Sequence, residues 1–140
     1  LKLKRAQNVL IIRIDEDEEV ISSISEALSS KGIDSGIIIS FVGALKCCQL
    51  ILKKGLEKSI TTHMEVVGNG NVSSYKEAPF VHLHVAAGSG KGFWVGHLTR
   101  GIVDVFCEVA IIPIELKMIR KYKQSLADSG ITIPYILDFK

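Results

Sequence analysis

The chain has 140 residues, 47% of them hydrophobic, and a formal net charge of +2. That allows one substantial buried core and is too mildly basic to demand a polyanionic partner. Three cysteines, two adjacent, make no disulfide framework, and no secretory signal is visible. The expectation is a reduced, cytoplasmic protein. The longest apolar stretch, 36–45, carries Ser40 and is too short to span a bilayer, so no membrane association is expected.

In chain order, Leu1-Lys2-Leu3-Lys4-Arg5 reads as a basic, solvated lead-in. Asn8 to Ile14 is β-branched and apolar, a first strand, with Arg13 placed for an ion pair to a nearby carboxylate. Asp15 followed by Glu18 resembles a capping box, and the acidic run 15–19 suits a helix N-terminus without any bound ion. Val20, Ile21, Ile24, Ala27 and Leu28 then form one apolar helical stripe, closed by Lys31 and Gly32.

Residues 35–52 read as strand interrupted at Gly43-Ala44, with Ile37-Ile38-Ile39 buried on both faces. Cys47 and Cys48 point to opposite faces and read as small buried hydrophobes. A turn over 53–59 leads to a strand over 60–73, broken at Gly68-Asn69-Gly70, with Met64, Val66 and Val72 in the core. Residues 74–78 turn the chain again.

The stretch 79–98 holds three of the four histidines and reads as a β-hairpin. His82 and His84 alternate with apolar residues and so point the same way. A turn centred on Ser89-Gly90 sets His82 directly opposite His97, which then shares that face. A slip of one residue would reverse it. Opposed Cβ atoms lie about 4.5–5.5 Å apart, close enough for three imidazoles to converge on one ion. The neutral reading, histidines satisfied by neighbours, weighs about equally on residue pattern alone.

Beyond the hairpin, 101–114 reads as a long strand, with Asp104 and Glu108 on the parity of Ile102 and Phe106. Residues 116–126 read as a helix on Leu116, Ile119, Tyr122 and Leu126, and 131–139 as a terminal strand. About six strands and one principal helix argue an α+β fold, a mainly antiparallel sheet with the helix packed on it.

Three imidazoles with a position left for water suit zinc first among divalent ions. Glu65 is the candidate general base or partner to the ligands. A competing reading is duplex DNA binding through Lys2, Lys4, Arg5, Lys117, Arg120, Lys121 and Lys123, of which the cluster over 117–123 otherwise reads as a solvated face. A third is a module in which the metal recognises a small anion.

The order Arg13 and Glu18, then Gly43-Ala44-Leu45, Glu65 ahead of Gly70-Asn71-Val72, Pro79-Phe80-Val81-His82-Leu83-His84, and Gly96-His97-Leu98 resembles the plants-and-prokaryotes-conserved (PPC) domain family. The family is also called PD1-like DNA-binding. The likeness runs over about 8–114 and less clearly to 137, and it is of the single-domain prokaryotic type. It implies an α+β homotrimer with His82, His84 and His97 as metal ligands, in one domain over 1–140 whose core is 8–114 and whose extension is 115–140. The DNA-binding label belongs to plant members carrying an AT-hook, and the Arg-Gly-Arg-Pro hook is missing here.

Overall fold

The computed structural model describes residues 1–128 and 136–140. Three long strands dominate it: β3 (Gly36–Lys53), β4 (Leu56–Tyr75) and β6 (Gly92–Pro113). Around them lie β1 (Lys2–Ala6), β2 (Val9–Asp15), α1 (Val20–Ser30), β5 (Ala78–Ser89), β7 (Met118–Lys121), the short α2 (Gln124–Ala127) and β8 (Ile136–Phe139). The sheet runs β1-β2-β6-β3-β4-β7-β8, and β5 pairs with both β4 and β6. Pairing among β3, β4, β5 and β6 therefore closes on itself. Every ladder is antiparallel except the single parallel pair of β4 with β7. The α+β architecture expected from the sequence is the one observed.

Tight turns make these long pairings possible. Lys54-Gly55, Lys76-Glu77 and Gly90-Lys91 each join two strands. Lys76 and Glu77 have φ of 48° and 66°, the left-handed pair that a two-residue hairpin needs to match strand twist. Inside, Leu10, Ile12 and Ile14 of β2 meet Phe41 and Leu45 of β3, Val103, Val109 and Ile111 of β6, and Leu83 and Val85 of β5. The stripe Val20, Ile24, Ala27 and Leu28 closes one side, α1 packing on β2, β5 and β6. Each such aliphatic side chain contributes about 1.5–3 kcal/mol of burial.

Several local expectations change. The lead-in is not frayed: Lys2–Ala6 is strand β1, paired with β2. The helix cap is Glu19, not Asp15. Its carboxylate accepts from the backbone N–H of Ile21 and Ser22, and from that of Gly101 across on β6. Glu18 still accepts from Asp15 N–H at 2.7 Å, so the box-like contact forms one step too early to be the cap. Arg13 does find a carboxylate, Asp15, at 2.7 Å.

Ile38 is buried, but Ile37 and Ile39 are exposed, so β3 is covered on one face only at its start. The expected turn over 53–59 shrinks to two residues. Gly68-Asn69-Gly70 does not break β4, which runs unbroken beside β5. Residues 116–126 are not a helix. Met118–Lys121 is β7, paired with β8, and α2 supplies only one turn. Part of the expected terminal strand, 131–135, lies outside the described residues; Ile136–Phe139 forms β8.

Candidate metal centre

The trio is set by the β4–β5–β6 ladders. His82 pairs with Asn71 and His84 with Asn69 on β4. On the other side His84, not His82, faces His97, because the turn is centred on Gly90-Lys91 rather than Ser89-Gly90. The register differs from the expected one by two residues, which preserves parity, so His97 keeps to the histidine face. His82 lies beyond the last β5–β6 pair and reaches His97 diagonally.

Gly68 and Gly70 hold β5 close. A Cβ on Gly70 would meet the His82 carbonyl oxygen at 1.8 Å, and one on Gly68 the His84 carbonyl oxygen at 2.3 Å. The backbone that carries His82 and His84 is thus seated directly on two missing side chains.

The three rings stand 5.0, 5.1 and 5.5 Å apart, centre to centre. One nitrogen from each lies within 4.8 Å of the others. Bonds of about 2.0–2.1 Å to a common ion put tetrahedral ligand nitrogens roughly 3.3 Å apart, a small side-chain rotation away. His97 is only 5% exposed, His82 is half-buried and His84 is open to solvent. Burial, helped by Arg120 and the other two rings, pushes His82 down to about 4. Burial, then His84 and Arg120, does the same to His97, also to about 4. Both are therefore neutral at pH 7, the form that ligates metal. His82 Nε2 is buried and has no hydrogen-bond partner. A buried polar atom in that position costs free energy unless something coordinates it, so the donor set fits a divalent ion.

Glu65 is elsewhere. It pairs with Gly88, four positions along β4 from the partner of His84, roughly 13 Å at about 3.3 Å per residue. Its carboxylate contacts His63 Nε2 at 3.1 Å, while His63 Nδ1 contacts Asp104 at 2.7 Å. Asp104 first, then Glu65, hold His63 above the usual imidazole range. Sequence reading missed this group because Asp104 arrives from β6 across the small Ala44, at a bulge where Val105 has φ of 67°.

Among the basic residues, Arg120 turns inward and is 7% exposed. Its guanidinium donates to Ser73 Oγ at 3.1 Å and Asn71 Oδ1 at 2.7 Å, and lies over the Phe80 ring. It also reaches His82 Nδ1 at 3.1 Å. Lys121 pairs with Asp138, and Lys117 lies 4.0 Å from Asp34. Lys2, Lys4 and Lys123 are exposed. Cys47, Cys48 and Cys107 are free. Burial pushes Cys48 up to about 11 and Cys107 to about 12, so these two thiols are inert at neutral pH.

The profile of the Plants and Prokaryotes Conserved (PCC) domain matches residues 2–116. This chain belongs to the PCC domain family. The PCC fold recurs in solved structures of similar size. A protein from Bacteroides thetaiotaomicron, described as a candidate DNA-binding protein, is 27% identical with a TM-score of 0.84, over 99% of this chain and 96% of its own. A metal-containing protein from Archaeoglobus fulgidus is 25% identical with a TM-score of 0.77, over 96% and 97%. A plant- and prokaryote-conserved protein from Pyrococcus horikoshii is 28% identical with a TM-score of 0.71, over 98% and 95%. Among proteins of curated function, none matches by sequence. No helix among the described residues is long and apolar enough to cross a membrane.

Proposed function

We propose that this PCC-domain protein is a homotrimer that binds a divalent metal, zinc first, through His82, His84 and His97. The carrying observation is the buried Nε2 of His82, which has no hydrogen-bond partner and belongs to one of three imidazoles whose ligand atoms lie within 4.8 Å of one another. The metal-containing relative from Archaeoglobus fulgidus supports the reading. When bound, such an ion supplies Lewis acidity and lowers the pKa of a coordinated water. Asn69 and Asn71 pair with the ligand-bearing strand, Gly68 and Gly70 seat it, and the exposed His84 leaves the site open to solvent. Glu65, facing His63 in its own chain, is given no step.

Support for assembly comes from a sheet face that leaves Ile11, Ile37, Ile39, Val42 and Val67 exposed. Contiguous apolar surface of that kind marks protein contacts. A second reading, duplex DNA binding, has its support in the description of the Bacteroides relative and in the exposed Lys2, Lys4 and Lys123. Such binding is phosphate-dominated and weakens steeply with salt.

Elemental analysis of protein purified without added metal or chelator tests the site. The expected result is near-stoichiometric metal in the parent and its loss in the His82→Ala/His84→Ala variant. Metal-free parent protein that also takes up none from a zinc titration overturns the reading.

A further inference from the structure

Arg120 carries an inference that rests on the metal reading above and goes beyond it. A guanidinium has only N–H donors, so at 3.1 Å from Arg120 Nη2 the Nδ1 of His82 must be the acceptor. A neutral ring accepting at Nδ1 carries its proton on Nε2. Yet Nε2 is the buried atom without a hydrogen-bond partner and, with Nδ1 engaged by Arg120, the ring nitrogen left to ligate. Ligation through Nε2 moves the ring proton to Nδ1, where two donors would then face each other. The Arg120–His82 bond and Nε2 ligation by a neutral imidazole are therefore mutually exclusive.

The guanidinium cannot simply leave. Asn71 Oδ1 and Ser73 Oγ hold it from β4, Phe80 lies beneath it, and the side chain is buried. The donor released from His82 stays beside the centre, where a further acceptor can take it. Buried positive charge next to a cation site with an open coordination position favours one class of acceptor above others, an anion that also reaches the metal.

We propose that Arg120 makes this centre a two-part site for a small oxyanion, a carboxylate or a phosphate-type group. One oxygen occupies the position the histidines leave open, and another accepts from the guanidinium. Arg120 thus opposes metal binding when no anion is present and supports anion binding once the metal is in place. A merely structural arginine would weaken both on removal.

The test uses cobalt(II) as the spectroscopic metal on the full chain, comparing wild type, Arg120→Met and Arg120→Lys. In buffer free of coordinating anions, cobalt affinity read from the d–d bands should rise about tenfold in Arg120→Met. Acetate and methylphosphonate are then titrated separately into the cobalt-loaded proteins. Each arm reads whether a carboxylate or a phosphate-type group is preferred. At least one should bind about tenfold more weakly to Arg120→Met than to wild type, the loss expected for one charge-assisted hydrogen bond. Arg120→Lys should lie between. Should Arg120→Met fail to fold by circular dichroism, Arg120→Lys decides on the same two signs. Equal anion affinities across the three proteins, or a fall in both affinities together, overturns the proposal while leaving the metal centre standing. Failure of wild type to bind cobalt overturns both.

Discussion

His82 and His97 are two imidazoles that burial has made reluctant to protonate, both held at about 4 against 6.5 for an ordinary histidine. An unfolded chain protonates them near 6.5 and the folded one does not until about 4. Their contribution to stability is therefore full above pH 6.5 and falls as the pH drops through that window, at up to about 1.4 kcal/mol per pKa unit of displacement. His63 has the opposite sign. Its raised value favours the folded state below 6.5 and loses that effect as pH rises through the folded pKa. Denaturant midpoints of the metal-free protein should accordingly be lower at pH 5 than at pH 7. The His82→Asn/His97→Asn variant should lose most of that difference. Equal midpoints in wild type would show that the rings are not desolvated.

Among the elements, the β4–β5 ladder carries the site, and its two glycines decide whether it can form. Period-2 alternation made the histidine strand legible, but Gly68-Asn69-Gly70 reads as a break when only local chain preference is considered. The structure gives the other meaning of a strand glycine, close approach of a neighbouring backbone. Gly70→Ala would drive a methyl against the His82 carbonyl oxygen, 1.8 Å away in the present backbone. The expected cost is about 2–4 kcal/mol of stability, measured by denaturant unfolding, with loss of metal uptake. A variant as stable as the parent would mean that β5 is not seated on Gly70. The helix and its stripe were equally legible from spacing. Its cap was not, because Glu19 is chosen by Gly101 N–H, a partner from a distant strand.

At the scale of the molecule, the sheet offers a face on which Ile11 pairs with Ala110, Ile37 with Ile112 and Val42 with Val67. Ile11, Ile37, Val42 and Val67 are exposed. Covering such a face with further copies of the chain removes it from water at about 25 cal/mol per Å². The parent should sediment as a trimer and an Ile11→Lys/Val42→Glu variant as a monomer, with the helix and sheet signals of circular dichroism unchanged. A parent that already sediments as a monomer would show that this face is not a subunit contact.

What the sequence determined alone was the face on which the histidines stand. Alternation is a local property, and a register error of two residues leaves every side chain on its side of the sheet. What tertiary structure alone decided was the surroundings: Arg120 against His82, Glu65 against His63, and β7 in place of a helix. The apolar spacing over 116–126 suits a helix, but Met118–Lys121 is strand because β4 and β8 offer ladder partners. Long-range pairing overrides local preference there, and with it comes the buried Arg120 guanidinium, which no pattern along the chain could place beside the histidine trio.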